Sequence, residues 1–266
     1  MLQIFERQVL KFLLERASRR NFGNHPEMVC FAHDAISRKI FIDGLFEKRE
    51  LYALRRFLKS NLDRLSTCID VGANIGNHSL FFSTIFEQVV SFEPNRKTFV
   101  VLSLNSQLAS NVEVVNAGLS DRKALLGAIM DPLNLGSTRI SESSKTNTEF
   151  SVFPLDEYIE KNLYEKIDFI KLDVEGHELR ALKGAAGTLI KFQPVLAVEM
   201  HVKKDKAESE LVVALLRNLG YEYAHWFKPN YWSMDKSEFI QIPINKFFDL
   251  RSKNHKMVLF TSSETK

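Results

Sequence analysis

Residues 68–79 read CIDVGANIGNHS. A short apolar run ends in a carboxylate at Asp70, turns through Gly72, Ala73 and Asn74, and starts again at Gly76 as an amphipathic segment. Glycine at 72 lets the backbone bend sharply and lets a ligand approach it. The helix start beyond Gly76 offers free backbone N–H groups. A second apolar run follows and ends SFEPN, placing Glu93 about 20 residues past the glycine turn, where an acid accepts ribose hydroxyls. The pattern therefore predicts a site for an adenosine-containing ligand. A dinucleotide site needs G-x-G-x-x-G, so that bare backbone meets a pyrophosphate. Here the order is D-x-G-x-N-x-G; Asp70 would repel a pyrophosphate and would suit a cationic amino-acid moiety, as in S-adenosylmethionine.

Around this stretch, strand-length apolar runs alternate with amphipathic segments from Thr67 onward: TCIDVG, VVSFE, VEVVNAG, IDFIKLDV and PVLAVEMH are the runs. That alternation predicts parallel βαβ units, an α/β domain spanning 61–266. Residues 119–155 interrupt the rhythm with a Ser/Thr/Asn-rich stretch, expected to be a hairpin and loop insertion. YEYAHWF and KMVLFTS suit an antiparallel edge pair. Residues 1–60 are expected to form an extension: an amphipathic helix in the first 20, a small β-hairpin over 28–42 and a helix in EKRELYALRRFLKSNL. The first helix carries Phe5, Val9, Phe12 and Leu13 with Arg7, Lys11, Arg16, Arg19 and Arg20. Covering the domain or a second subunit is the favoured reading over peripheral contact with an anionic membrane.

Composition bounds the rest. Of 266 residues, 45% are hydrophobic and 26% charged, the balance of a globular protein, and a net charge of +3 with both signs interspersed gives no field that would imply nucleic acid. Cys30 and Cys68 have neither disulfide nor zinc-ligand spacing, which predicts a reducing, cytoplasmic setting. The chain has no run of ~18 apolar residues of the kind that crosses a membrane. Its opening stretch is broken by charges, unlike a signal-peptide core.

DVGANIGNHS, SFEPN, NAGLSD, GSTRI, IDFIKLDVEGHELRALKGA and VLAVEMH follow one another as in the FkbM-type family of S-adenosylmethionine-dependent methyltransferases, which the chain resembles from about Gly44 to His201. The resemblance implies a class I methyltransferase fold, seven strands in the order 3-2-1-4-5-7-6 with the last antiparallel. It implies O-methylation of sugar or natural-product hydroxyls. By motif, Asp70, Gly72, Ala73, Asn74 and Gly76, with Asn77, hold the methionine part of the cofactor. Glu93 holds the ribose, Pro94 and Asn95 shape the turn, and Asn116 and Ala117 meet the adenine. Glu47, in GLFEKRE, either closes over the cofactor or is a solvated acid at a helix start.

A hydroxyl is a poor nucleophile, so an O-methyltransferase gains from a base or a cation at the strand ends. IKLDVEGHE, residues 170–178, supplies candidates. Asp173 is expected at the end of the fourth strand, beside the methyl position, and is counted with the cofactor contacts as well. Glu175 forms the turn, His177 is an exposed base at the rim, and Glu178 mainly starts a helix. Alternation puts Glu199 and His201 on one side of the next strand. Together the group would be an acid/base cluster, with a divalent cation as the less favoured alternative. HWFKPNYW offers aromatics for stacking on a sugar or for core packing. N-methylation and a non-catalytic cofactor-binding module remain as other readings.

Overall fold

The computed structural model describes residues 2–23, 27–131, 134–140, 148–200, 202, 205–249 and 257–265, with backbone alone at 2, 130, 131, 134–140 and 249. In chain order come α1 (Leu2–Asn21), α2 (Ala35–Asp43), α3 (Lys48–Asn61), β1 (Thr67–Val71), α4 (Asn77–Ser83), β2 (Gln88–Phe92), α5 (Arg96–Ser106) and β3 (Val112–Val115). The insertion gives β4 (Gly118–Leu119), β5 (Ala124–Asp131), β6 (Asn134–Ile140) and β7 (Thr148–Phe153). Then follow α6 (Leu155–Asn162), β8 (Phe169–Leu172), α7 (Glu178–Lys183), α8 (Ala186–Phe192), β9 (Val195–Glu199), α9 (Lys206–Asn218), β10 (Tyr223–Lys228), β11 (Glu238–Pro243) and β12 (Met257–Thr261).

The main sheet runs β3-β2-β1-β8-β9-β12-β10-β11. Its first five strands pair in parallel, and β12 lies antiparallel between β9 and β10. This is the class I methyltransferase order 3-2-1-4-5-7-6 with an eighth strand added at the edge, so the expected count of seven is corrected to eight. The pair read as an edge pair is therefore interior on its β12 side, and EFIQIP in β11 takes the edge through six register pairs with β10. The insertion forms a separate four-stranded sheet, β4-β7-β5-β6.

Alternation along the strands divides two cores between the sheet faces. Ile69, Val71, Ile170, Leu172, Leu196 and Val198 face one way, toward α6 to α9. Cys68, Phe169, Val195 and Ala197 face the other, toward α3 and α4. Leu51, Leu54 and Leu58 of α3 are fully buried in that second core, each stabilising the fold by roughly 1.5–3 kcal/mol. Helix α3 thus belongs to the main domain, and the expected boundary near residue 60 falls inside a packed unit.

Two N-terminal expectations change. Residues 28–42 form no hairpin: Asp34 accepts the Ile36 and Ser37 amides, Gly44 closes the other end at φ 79°, and between these caps the chain is helical α2. The extended residues before it are held by Asn105 of α5, whose amide bonds the Val29 backbone at both N–H and C=O and the Ile75 carbonyl. Helix α1 does form, yet it does not cover the core: Phe5 and Phe12 are 70% and 62% exposed, and among its described side chains only Ala17 is buried. Its last turn is fastened to α2 by Arg20 and Asn21, which donate to the Ile42 carbonyl. Among the described residues no helix is long and apolar enough to cross a membrane.

Candidate functional site

The carboxyl ends of β1, β2, β8 and β9 meet α2 and the turn before α3 around a cavity of about 320 Å³, within the range of small-molecule sites. Gly72 sets its floor. At φ +75° its Cα faces the end of β8 so closely that a Cβ there would lie 1.8 Å from the Asp173 carbonyl oxygen. Its N–H and that of Ala73 both donate to the Phe92 carbonyl at 3.0 Å, tying the turn to the tip of β2. Next to it, Asn74 takes a left-handed φ of 52° and gives its N–H to Glu93 Oε2 at 2.8 Å. The Asn95 N–H meets Glu93 Oε1 at 2.8 Å. Burial pushes the Glu93 carboxyl up to about 7, against the pull of these amides, Thr98 and Lys171. Each carboxylate oxygen keeps a lone pair for a ligand hydroxyl. Pro94, Gly118, Leu119 and Phe150 enclose the same end.

Several predicted cofactor residues stand behind this wall. Asp70 is fully buried and does not line the cavity. Its Oδ2 accepts from Ser79 at 2.7 Å and its Oδ1 lies 3.3 Å from Lys171 Nζ, so the cation expected opposite Asp70 is a side chain of the protein itself. Gly76 packs against Leu102, which a Cβ would approach to 2.9 Å. Asn95 caps α5, accepting the Lys97 amide. Asn116 buttresses the turn by donating to the Glu93 and Pro94 carbonyls, and Ala117 is buried beside it. Their neighbours Gly118 and Leu119 reach the cavity instead.

The opposite wall is built by the upstream turn. Asn77 lines the cavity and clamps Phe46, accepting its N–H at 3.0 Å and donating to its carbonyl at 3.2 Å. That clamp carries Glu47, at φ 55°, to the cavity, where its Oε2 lies 3.3 Å from Nε2 of the buried His78. The solvated-acid reading of Glu47 is thus replaced by a wall position.

Asp173, Glu175, His177 and Glu199 all reach the cavity, while His201 lies outside the described residues. Strand β8 ends at Leu172, and Asp173 follows it, its N–H donating to the Val71 carbonyl. Cross-strand register explains what the linear sequence hides. Asp70 pairs with Lys171, and alternation puts both, with Asp173 and Glu199, on the α3/α4 face. Lys171, 1% exposed, lies 3.3 Å from Asp70 Oδ1 and 3.4 Å from Asp173 Oδ2. Burial pulls its ammonium down, but the two carboxylates outweigh burial and hold it above the usual lysine value. Burial likewise pushes Asp173 up, yet Lys171, a hydrogen bond from Glu199 and the His78 ring outweigh it, and the net shift is down. A hydrogen bond between two carboxyl groups needs one proton shared between them, so Asp173 and Glu199 titrate as a pair. Nothing in the motif reading assigned Lys171, although a lysine inside an otherwise apolar strand was the available signal.

The rim residues also differ from expectation. His177 is buried, and its Nε2 is 2.9 Å from Ser120 Oγ, so it is no freely exposed base. Glu178 starts α7 as expected but from a buried position, accepting the Gly176 amide at 3.0 Å. Burial raises it to about 7. Glu175 sits in the turn at φ 51°. Tyr231 and Trp232, from the aromatic stretch, are exposed and do not line the cavity. Among the described residues no group of three or more His, Cys, Asp or Glu is arranged to hold a metal ion.

Residues 70–223 match the family described as Methyltransferase FkbM domain. Over 137 residues the chain is 34% identical to the hexuronic acid methyltransferase AglP of Haloferax volcanii, covering 51% of this chain and 56% of that relative, little more than half its length. It is 28% identical over 200 residues to methyltransferase sdnD of Sordaria araneosa, covering 60% of this chain and 76% of that one. The crystal structure of methyltransferase FkbM from Methylobacillus flagellatus is similar at 18% identity with a TM-score of 0.46, over 91% of this chain and 58% of that one.

Proposed function

Because the chain belongs to the FkbM methyltransferase family, we propose that it transfers a methyl group from S-adenosylmethionine to a hydroxyl of a sugar or sugar-bearing acceptor. The residues present suit that cofactor. Glu93 is a buried acceptor suited to ribose hydroxyls, Gly72 leaves bare backbone beside it, and the acidic wall from Asp173 to Glu47 suits a cationic centre. When bound, the cofactor supplies an electrophilic methyl group on a sulfonium. The protein's part is alignment and proton removal.

The observation that carries the proposal is the state of Asp173. It reaches the cavity next to the Gly72 turn with its Oδ2 3.4 Å from Lys171 Nζ, an ammonium that favours the ionised carboxylate. An ionised carboxylate there is placed to take the proton of an acceptor hydroxyl. An amine acceptor would need less of this machinery, which favours O-methylation. The name of the Haloferax relative supports a sugar acceptor. The two cysteines, both free thiols, support a cytoplasmic setting.

Labelled-methyl transfer into fractionated extracts tests the proposal. The wild-type chain should label a glycan or sugar-bearing fraction. Asp173→Asn should lower transfer by about 10²-fold or more, the scale of general-base catalysis, while still binding the cofactor. Undiminished transfer by that variant, or label found only on protein or nucleic acid, refutes it.

A further inference from the structure

The cavity wall is acidic except at one point. Among the described residues that line it, five are carboxylic acids, Glu47, Glu93, Asp173, Glu175 and Glu199, and one is a lysine or arginine, Lys39. With Glu93 assigned to the ribose, the other acids suit a sulfonium and an ammonium, but S-adenosylmethionine also ends in a carboxylate. Among like charges a carboxylate is disfavoured unless a cation or an amide meets it. Lys171 is not available for this, being buried behind the wall between Asp70 and Asp173.

Lys39 is available and suitably placed. It stands on α2, whose Ile36 and Ile40 pack with Ile75 of the Gly72–Asn77 turn and with Val101 of α5, and it lines a second recess together with Glu47. With Glu93 taken as the ribose end, the Glu47 side is taken as the amino-acid end. Its Nζ lies 5.6 Å from the centre of the Phe46 ring, and Phe46 is in turn clamped by Asn77. A cation over an aromatic face is attracted and localised without being neutralised. No described carboxylate lies within ion-pair distance of Lys39, in contrast to Lys171, Lys166 and Lys228.

We propose that Lys39 receives the carboxylate of the cofactor's amino-acid end. The proposal rests on the cofactor assignment made above and adds a residue from the N-terminal segment, outside the matched family region, to the binding site. The competing arrangement leaves that carboxylate to backbone amides of the glycine turn and gives Lys39 some other role, such as meeting an anionic group on the acceptor.

Calorimetry on the full chain without acceptor separates these. The probes are S-adenosylhomocysteine and its decarboxylated analogue, identical but for the carboxylate. Lys39→Gln should weaken binding of the first by about tenfold, the low end for a charge-assisted hydrogen bond on a half-open wall, and leave the second unchanged. Lys39→Arg should keep most of the affinity. Thermal melting of both variants should stay within a few degrees of the wild type, since Lys39 is exposed on its helix and Lys39→Gln loses only the contact with Phe46. Equal weakening of both probes, or of neither, overturns the assignment of Lys39. If the wild type binds neither probe, the cofactor reading itself fails, and this proposal with it.

Discussion

Replacing Gly72 by alanine probes the contact on which the site is built. Two costs add at this position. A side chain at φ +75° costs about 1–2 kcal/mol in left-handed backbone. The new methyl would also begin 1.8 Å from the Asp173 carbonyl oxygen, a backbone atom that cannot swing aside, so the ends of β1 and β8 must separate. Overpacking of this kind costs about 1–3 kcal/mol more. The expected destabilisation is therefore about 2–5 kcal/mol. Gly176→Ala is the control: its φ is +94°, but a Cβ there meets nothing within 4 Å, so it should cost only the backbone part, about 1–2 kcal/mol. Urea denaturation of both variants measures the difference, and titration with S-adenosylhomocysteine should show Gly72→Ala losing affinity while Gly176→Ala does not. If the two variants are equally stable, the close approach of β1 to β8 is not the constraint described.

Lys171→Met should cost about 3–5 kcal/mol at pH 7, because it leaves the buried Asp70 and the half-buried Asp173 without their cation. The cost should shrink on acidification: without Lys171, burial favours the protonated Asp173 and the variant takes up a proton as pH falls, whereas in the wild type Asp173 is held below its ordinary value and stays ionised over that range. Denaturation at pH 7 and pH 4 checks this, and a cost independent of pH refutes it. Glu178→Gln should act in the opposite sense. Burial raises Glu178 from 4.5 to about 7, so the folded state holds its proton longer and stability declines as pH rises through that window, by about 3 kcal/mol. The glutamine variant should lose this slope and be the more stable protein at pH 8; parallel pH profiles for the two proteins refute it.

Much of the fold was readable because parallel βαβ units write themselves as alternating periods, and the place of Glu93 on the cavity was readable because its distance from Gly72 is a spacing along one chain. What spacing cannot show is partnership across the sheet. Asp70 and Lys171 are neighbours only through the register of β1 with β8, so Asp70 was read as facing a ligand charge that Lys171 already supplies. The apolar β-branched residues of α2 suggested strands, and the caps at Asp34 and Gly44 were the overlooked signals of a helix. The strand EFIQIP went unread because its pairing with β10 crosses a loop with no strand pattern of its own. His177 was placed at a rim by its polar neighbours, whereas the insertion sheet brings Ser120 over it.

The proposed function makes the cavity between Gly72, Glu93 and Asp173 an S-adenosylmethionine site. Calorimetric titration of the full chain with S-adenosylmethionine and, separately, with NAD decides it. One-to-one binding of S-adenosylmethionine, weakened in Glu93→Ala, and no binding of NAD are expected; binding of NAD, or no binding of S-adenosylmethionine, contradicts the proposed function.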